Sequence, residues 1–164
     1  MKKIEIVPFV SAGHFILNEK REKIIPLIDF KHRSTREETQ GKNNFIIDDY
    51  EEVLAYYNKQ NEKLFFVLFT NIATYELILY NQNLFGLNSG GLYKYLKKLD
   101  KKLHKEDYVG FGSIKYGIDV YAPDFSEDKL STVETISIGI KGYFETIYEG
   151  SELDINYLQN SNQK

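Results

Sequence analysis

Apolar residues in this chain recur mostly at every second position, so strands dominate the elements the pattern predicts. In 107–121 (DYVGFGSIKYGIDVY), Ile114, Tyr116, Ile118 and Val120 fall on one side of a pleat, with Lys115, Gly117, Asp119 and Tyr121 on the other. Gly110, Gly112 and Ser113 precede that run and predict a hairpin whose tight turn lies there. Residues 3–10 alternate as an opening strand, and VLAYY and LFFVLFT, joined by the polar stretch 58–63, predict a second hairpin. In LFFVLFT both faces are apolar, the mark of a central strand covered on each side. TYELILY (74–80) and 132–140, with Ile136, Ile138 and Ile140 on one face, complete the strands.

Helical spacing is rarer. Asn88 or Ser89 caps the best candidate, 89–105, whose stripe is Leu92, Tyr95, Leu96, Leu99 and Leu103 and whose other face carries Lys94, Lys97, Lys98, Lys101, Lys102 and Lys105. Near the start, Asn18 caps a shorter segment with Ile24, Ile25 and Ile28; Pro26, which lacks a donor and crowds the preceding turn, limits it to one or two turns. Residues 31–44 (KHRSTREETQGKNN) contain nothing apolar and predict a loop or mobile insertion; 150–164 lose the pattern and predict a frayed tail.

Each half therefore runs strand, Gly or Asn break, short helix, then antiparallel strands. The expected architecture is one α+β domain over 1–149, with possible half-repeats 1–70 and 73–149. Its antiparallel sheet would have six to eight strands, with two helices on one face.

Composition narrows the function classes. A chain of 164 residues with 42% apolar and 15% aromatic content can bury a core unaided. With 21 basic and 24 acidic residues the net charge is −3, the signature of neither a nucleic-acid binder nor an acidic sink. There is no cysteine, which removes disulfides and thiol chemistry. The N-terminal segment, interrupted by Glu5 and Pro8, is too polar for a signal peptide, so a soluble cytoplasmic protein is expected, with no membrane partner.

No reactive constellation emerges. His14, His32 and His104 lie far apart in sequence with no metal-ligand spacing, there is no GxSxG elbow, and neither SGG (89–91) nor GFG (110–112) extends to a phosphate-binding motif. Catalytic residues, metal ligands and cofactors are therefore expected to be none. Two acidic clusters are more suggestive: Asp48 and Asp49 with Glu51 and Glu52, and Asp119, Asp124, Glu127 and Asp128 with Tyr121 and Phe125 among them. Carboxylates steer a basic partner and aromatics anchor it, although loop acids also simply keep a surface soluble. The predicted partner-binding residues are Asp119, Tyr121, Asp124, Phe125, Glu127, Asp128, Asp48 and Asp49. The alternative is a nucleic-acid surface on the lysine face of 89–105, with Tyr93, Tyr95 and Tyr108 beside it.

Two stretches, NLFGLNSGGLYKYLKKLD (83–100) and GFGSIKYGIDVYAPDFSEDKLSTVETISIGIKGYFE (110–145), resemble a family of small bacterial proteins. In that family an LSxxELxxYL helix precedes a KxGIxxY-type strand and a closing VESVxVFxKGYY-type strand. The helix followed by strands, twice over, is similar to the repeat of β-lactamase-inhibitor-like proteins. The resemblance implies a non-catalytic immunity protein whose partner is a cognate toxin, one with a basic active-site groove if it cuts nucleic acid.

Overall fold

Two runs of four strands, each a meander, meet through their last members to build the main sheet of this α+β protein. In the computed structural model, which describes residues 1–106 and 109–161, the first meander is β4 (Ser34–Gln40), β5 (Asn43–Asp49), β6 (Val53–Asn58) and β7 (Leu64–Thr70). The second is β10 (His104–Glu106), β11 (Gly110–Ser113), β12 (Ile118–Tyr121) and β13 (Thr135–Gly139). β13 pairs antiparallel with β7, so the large sheet runs β10-β11-β12-β13-β7-β6-β5-β4.

Ahead of each meander stands a strand and a helix. β1 (Lys2–Val7), the short pair β2 (Ser11–Ala12) and β3 (Phe15–Ile16), and the single turn α1 (Arg21–Ile24) precede the first. β8 (Tyr75–Leu79), β9 (Gln82–Asn83) and α2 (Ser89–Leu99) precede the second. β1 and β8 pair in parallel at the centre of a five-stranded sheet, which the expectation of a single antiparallel sheet did not contain. Parallel pairing of strands so distant in sequence has no local signature.

The core lies between the two sheets. Ile46, Val53, Ala55, Tyr57, Val67, Phe69, Ile136, Ile138, Ile118, Val120 and Phe111 line the inner face of the large sheet, all buried. Phe15 and Tyr75 of the small sheet meet Phe69 edge-on at 5.9 and 6.0 Å, and Tyr93 of α2 meets Phe111 at 5.3 Å. The outer face is covered in part by α3 (Tyr143–Tyr148), whose Tyr143 lies 5.1 Å from Phe66.

Several local expectations need correction. Strand β11 occupies 110–113, and the turn falls at 114–117, where Gly117 takes φ +63°, so Ile114 is exposed rather than in the strand face. Asp107 and Tyr108, the start of that predicted hairpin, lie outside the described residues. The polar run 31–44 is no loop: it holds β4 and the start of β5, because an edge strand needs only its backbone ladder, not apolar side chains. The lysine-bearing helix ends at Leu99 with Asp100 at its C-cap, and 104–106 turns into β10. Asn18 does not cap α1; it takes φ +63°, and Lys20 holds the cap position. Within the predicted tail, whose residues 162–164 lie outside the described residues, the chain forms α4 (Ile155–Ser161), held by Asn58 and Asn43, whose amides bond Gln159 and the Leu153 carbonyl at 2.9 and 2.8 Å. Amide pairs of this kind leave no hydrophobic period to read.

Candidate interaction face

Strand registers place side chains in rows across the outer face of the large sheet. One row runs His104, Gly112, Asp119, Ser137, Leu68, Leu54, Asp49 and Ser34, from one edge to the other. The next, toward one end, is Glu106, Gly110, Tyr121, Thr135 and Thr70. On the other side lie Gly139, Phe66, Tyr56, Ile47 and Arg36. Leu54, Leu68, Tyr56, Thr70 and Thr135 are only half-buried and Tyr121 is exposed, while Ser137 and Ile47 of the same rows are buried, so this face is open in part. The chain leaves it at loops that carry Glu51, Glu52, Glu134 and Asp124.

At the β12 end of that face Asp119 accepts a hydrogen bond from the Tyr148 hydroxyl at 2.5 Å. His104 stacks on the Tyr148 ring, 4.0 Å between centroids and 13° from parallel. Glycine at 112 makes the arrangement possible, since a Cβ there would sit 1.8 Å from the Tyr148 hydroxyl and 2.9 Å from Asp119 Oδ1. Burial pushes the Asp119 carboxyl up to about 6, against the Tyr148 bond that favours the ion; the nearby Glu106 adds to the rise and His104 opposes it. Burial likewise raises Tyr148, so the phenol stays protonated as the donor.

Asp48 lies on the opposite face and is completely buried. Arg21 grips it with two bonds of 2.8 Å, Thr35 donates at 2.6 Å, and His32 Nε2 stands 3.7 Å away. Burial works to raise this carboxyl, but Arg21 and then Thr35 hold it below the usual carboxylate range. The Tyr50 and Tyr57 hydroxyls are buried nearby without a well-formed hydrogen bond of their own, and burial raises both, Tyr50 to about 12. This cluster fastens α1 and β4 to β5.

Phe125, a predicted anchor, is interior. It is 3% exposed, packed 4.9 Å from Phe111 and 5.2 Å from Tyr93, with the Lys129 ammonium 3.4 Å above its ring. The loop that carries it, 122–131, is clipped to the start of α2: Ser89 and Gly90 donate their N–H groups to the Ser131 and Lys129 carbonyls, each at 2.8 Å. A side chain at Gly90 would come within 2.7 Å of that Lys129 carbonyl, so the weak helix former is there for close approach. Beside it Asn88, Tyr93, Lys94, Lys105, Phe125 and Lys129 line a groove of 480 Å³.

Of the eight predicted residues, the fold brings Asp119, Tyr121 and Asp49 onto one face, Asp49 about 19 Å from Asp119 at the ordinary strand spacing. Asp124, Glu127 and Asp128 sit exposed on the loop at its end, and Asp48 and Phe125 are interior. Sequence reasoning missed Leu54, Leu68, Tyr148 and Gly112. Leu68 reads as covered because both faces of LFFVLFT are apolar, Leu54 reads only as part of a hairpin strand, and the Tyr148 contact joins residues that no short spacing connects. Among the described residues no cluster of three or more His, Asp or Glu could hold a metal, and no helix is long and apolar enough to cross a membrane. Comparison with protein-family models, with curated proteins and with solved structures returns no match for the chain.

Proposed function

We propose that this chain is a non-catalytic immunity protein that neutralises a cognate toxin by binding it with the open outer face of the large sheet. The observation that supports this reading is Asp119: a carboxyl half-buried on an open face, bonded to a neutral phenol rather than a cation. Half-buried Leu54 and Leu68 and exposed Tyr121 lie in the same and the adjacent row and supply apolar contact area. A Lys or Arg of the partner placed over Asp119 would offset the cost of ionising that group, and the acidic rim of Glu51, Glu134 and Asp124 would steer a basic groove toward it.

Co-expression with the product of the adjacent open reading frame tests the proposal. The expected result is protected growth and co-purification of a complex, both lost in Leu68→Glu and Tyr121→Ala while the far-ultraviolet spectrum and melting temperature stay near wild type. No protection and no complex would overturn it.

A second reading has one observation in its favour. Lys94, Lys105 and Lys129 surround the aromatic groove beside α2 and form no ion pair with a described carboxylate, an arrangement suited to a nucleic-acid backbone and a stacked base. It requires affinity for single-stranded RNA or DNA that falls steeply with salt and is lost in Lys94→Ala with Lys105→Ala; the toxin-binding reading requires none.

A further inference from the structure

β4 closes one edge of the large sheet and is paired with β5 on one side only. All seven of its residues (STREETQ) are exposed and none is apolar, so no buried side chain anchors it. Its ladder to β5 keeps it extended, helped by bonds from Thr35 to Asp48 (2.6 Å), Thr39 to Asn44 (2.7 Å) and Lys59 to Glu37 (2.5 Å). Among the described residues no strand neighbours the other row of backbone donors and acceptors, which can template one.

The side chains of β4 specify a second copy of themselves. When identical strands pair antiparallel across a two-fold axis normal to the sheet, opposed residues must point to the same face. The axis then passes between one residue and its own copy. Glu37 is the middle residue of β4, so an axis there engages the whole strand. Ser34 then opposes Gln40, Thr35 opposes Thr39, and Arg36 opposes Glu38 twice, once on each side of the axis. Moving the axis to Arg36 or Glu38 leaves one end of the strand unpaired and sets that charge against itself.

Charged edge strands ordinarily keep other chains away. The two-fold reverses the effect here. Within one strand Arg36 already bonds Glu38 at 2.9 Å on the same face, so two copies would join four side chains in an alternating quartet. At the axis, where Glu37 meets its own copy, each carboxylate carries its Lys59.

We propose that two copies of this chain pair edge to edge through β4, continuing the large sheet across both. An interface one strand wide is small, so the dimer is weak and concentration-dependent. The axis normal to the sheet leaves both outer faces open on the same side. The inference therefore stands apart from the toxin-binding reading, and would make any such binding bivalent.

Sedimentation velocity on the full chain tests it, from about 1 µM to about 1 mM, the span of weak association. The weight-average mass is expected to rise toward twice that of the monomer. Arg36→Glu alone, or Glu38→Arg alone, sets like charges opposite each other at both positions and is expected to weaken association by about tenfold or more. Arg36→Glu combined with Glu38→Arg restores the complementarity and is expected to recover the wild-type constant within a few-fold. Circular dichroism checks that each exposed-edge variant stays folded. A wild type that remains monomeric throughout overturns the proposal. So does a dimer indifferent to the single exchanges, or one that the double exchange fails to restore.

Discussion

Asp48 and Asp119 lie on opposite faces of the same sheet, and their surroundings take them in opposite directions. Asp48 is completely buried, yet Arg21 holds its carboxyl low; Asp119 keeps some exposure, yet burial pushes it up to about 6, and the opposing bond from Tyr148 brings no positive charge. Desolvation opposes ionisation at both, so the nature of the partner decides the outcome. Asp48 has what a structural carboxylate needs, and its pairing locks an interior; Asp119 has only part of it, on a face left open.

The sharpest way to break the contrast is at Arg21. Arg21→Ala leaves the Asp48 carboxylate buried without its cation and is expected to cost about 3–5 kcal/mol in urea denaturation. Asp48→Ala should cost less, because the Arg21 side chain retains 25% exposure and can turn toward water.

Asp119 should respond with the opposite sign. Its folded-state value lies above the ordinary 3.8, so the native state holds a proton that the unfolded chain has released. Its stabilising contribution is complete below about pH 4 and is lost as pH rises through about 6, a change on the order of 3 kcal/mol at the usual conversion. Asp119→Asn is therefore expected to stabilise the protein at pH 7 by up to about 3 kcal/mol and to flatten the profile between pH 4 and 6. A melting-temperature series against pH for wild type and variant measures both. Asp48, with a lowered value, contributes stability above the ordinary carboxylate range that is lost as pH falls through its folded value. An acid-side fall absent in a folded Arg21→Met/Asp48→Leu double variant would separate the two residues.

The smallest effect sharpens the comparison rather than breaking it. Tyr148→Phe removes the one phenolic bond that favours the Asp119 ion, costs about 1 kcal/mol in stability, and shifts the Asp119 titration further upward in a carboxylate-detected NMR experiment.

Much of the α+β frame was legible along the chain. LFFVLFT, the alternation before β13, and the Leu92, Leu96 and Leu99 stripe behind the Asn88 cap became β7, β13 and α2, because a period of 2 or of 3.6 is written in consecutive residues. The acidic residues of the candidate site were legible as types but not as neighbours. Asp48 and Asp49 are adjacent in sequence, and one side of the pleat buried the first against Arg21 while the other placed the second on the open face. Phe125 read as an exposed anchor because its loop is acidic; its contacts with Phe111 and Tyr93 come from elements that only the fold assembles.

The sequence by itself determined where β6, β7, β8 and β13 and the start of α2 lie, because backbone propensity and the burial of one side of each element are local requirements. The parallel pairing of β1 with β8, the docking of α4 by Asn43 and Asn58, and the edge position of β4 were decided only in three dimensions. So was the environment that separates Asp48 from Asp119. Each depends on which distant groups are brought within a few ångströms, and a charge or a hydrogen bond takes its strength from that proximity and from the water the fold excludes.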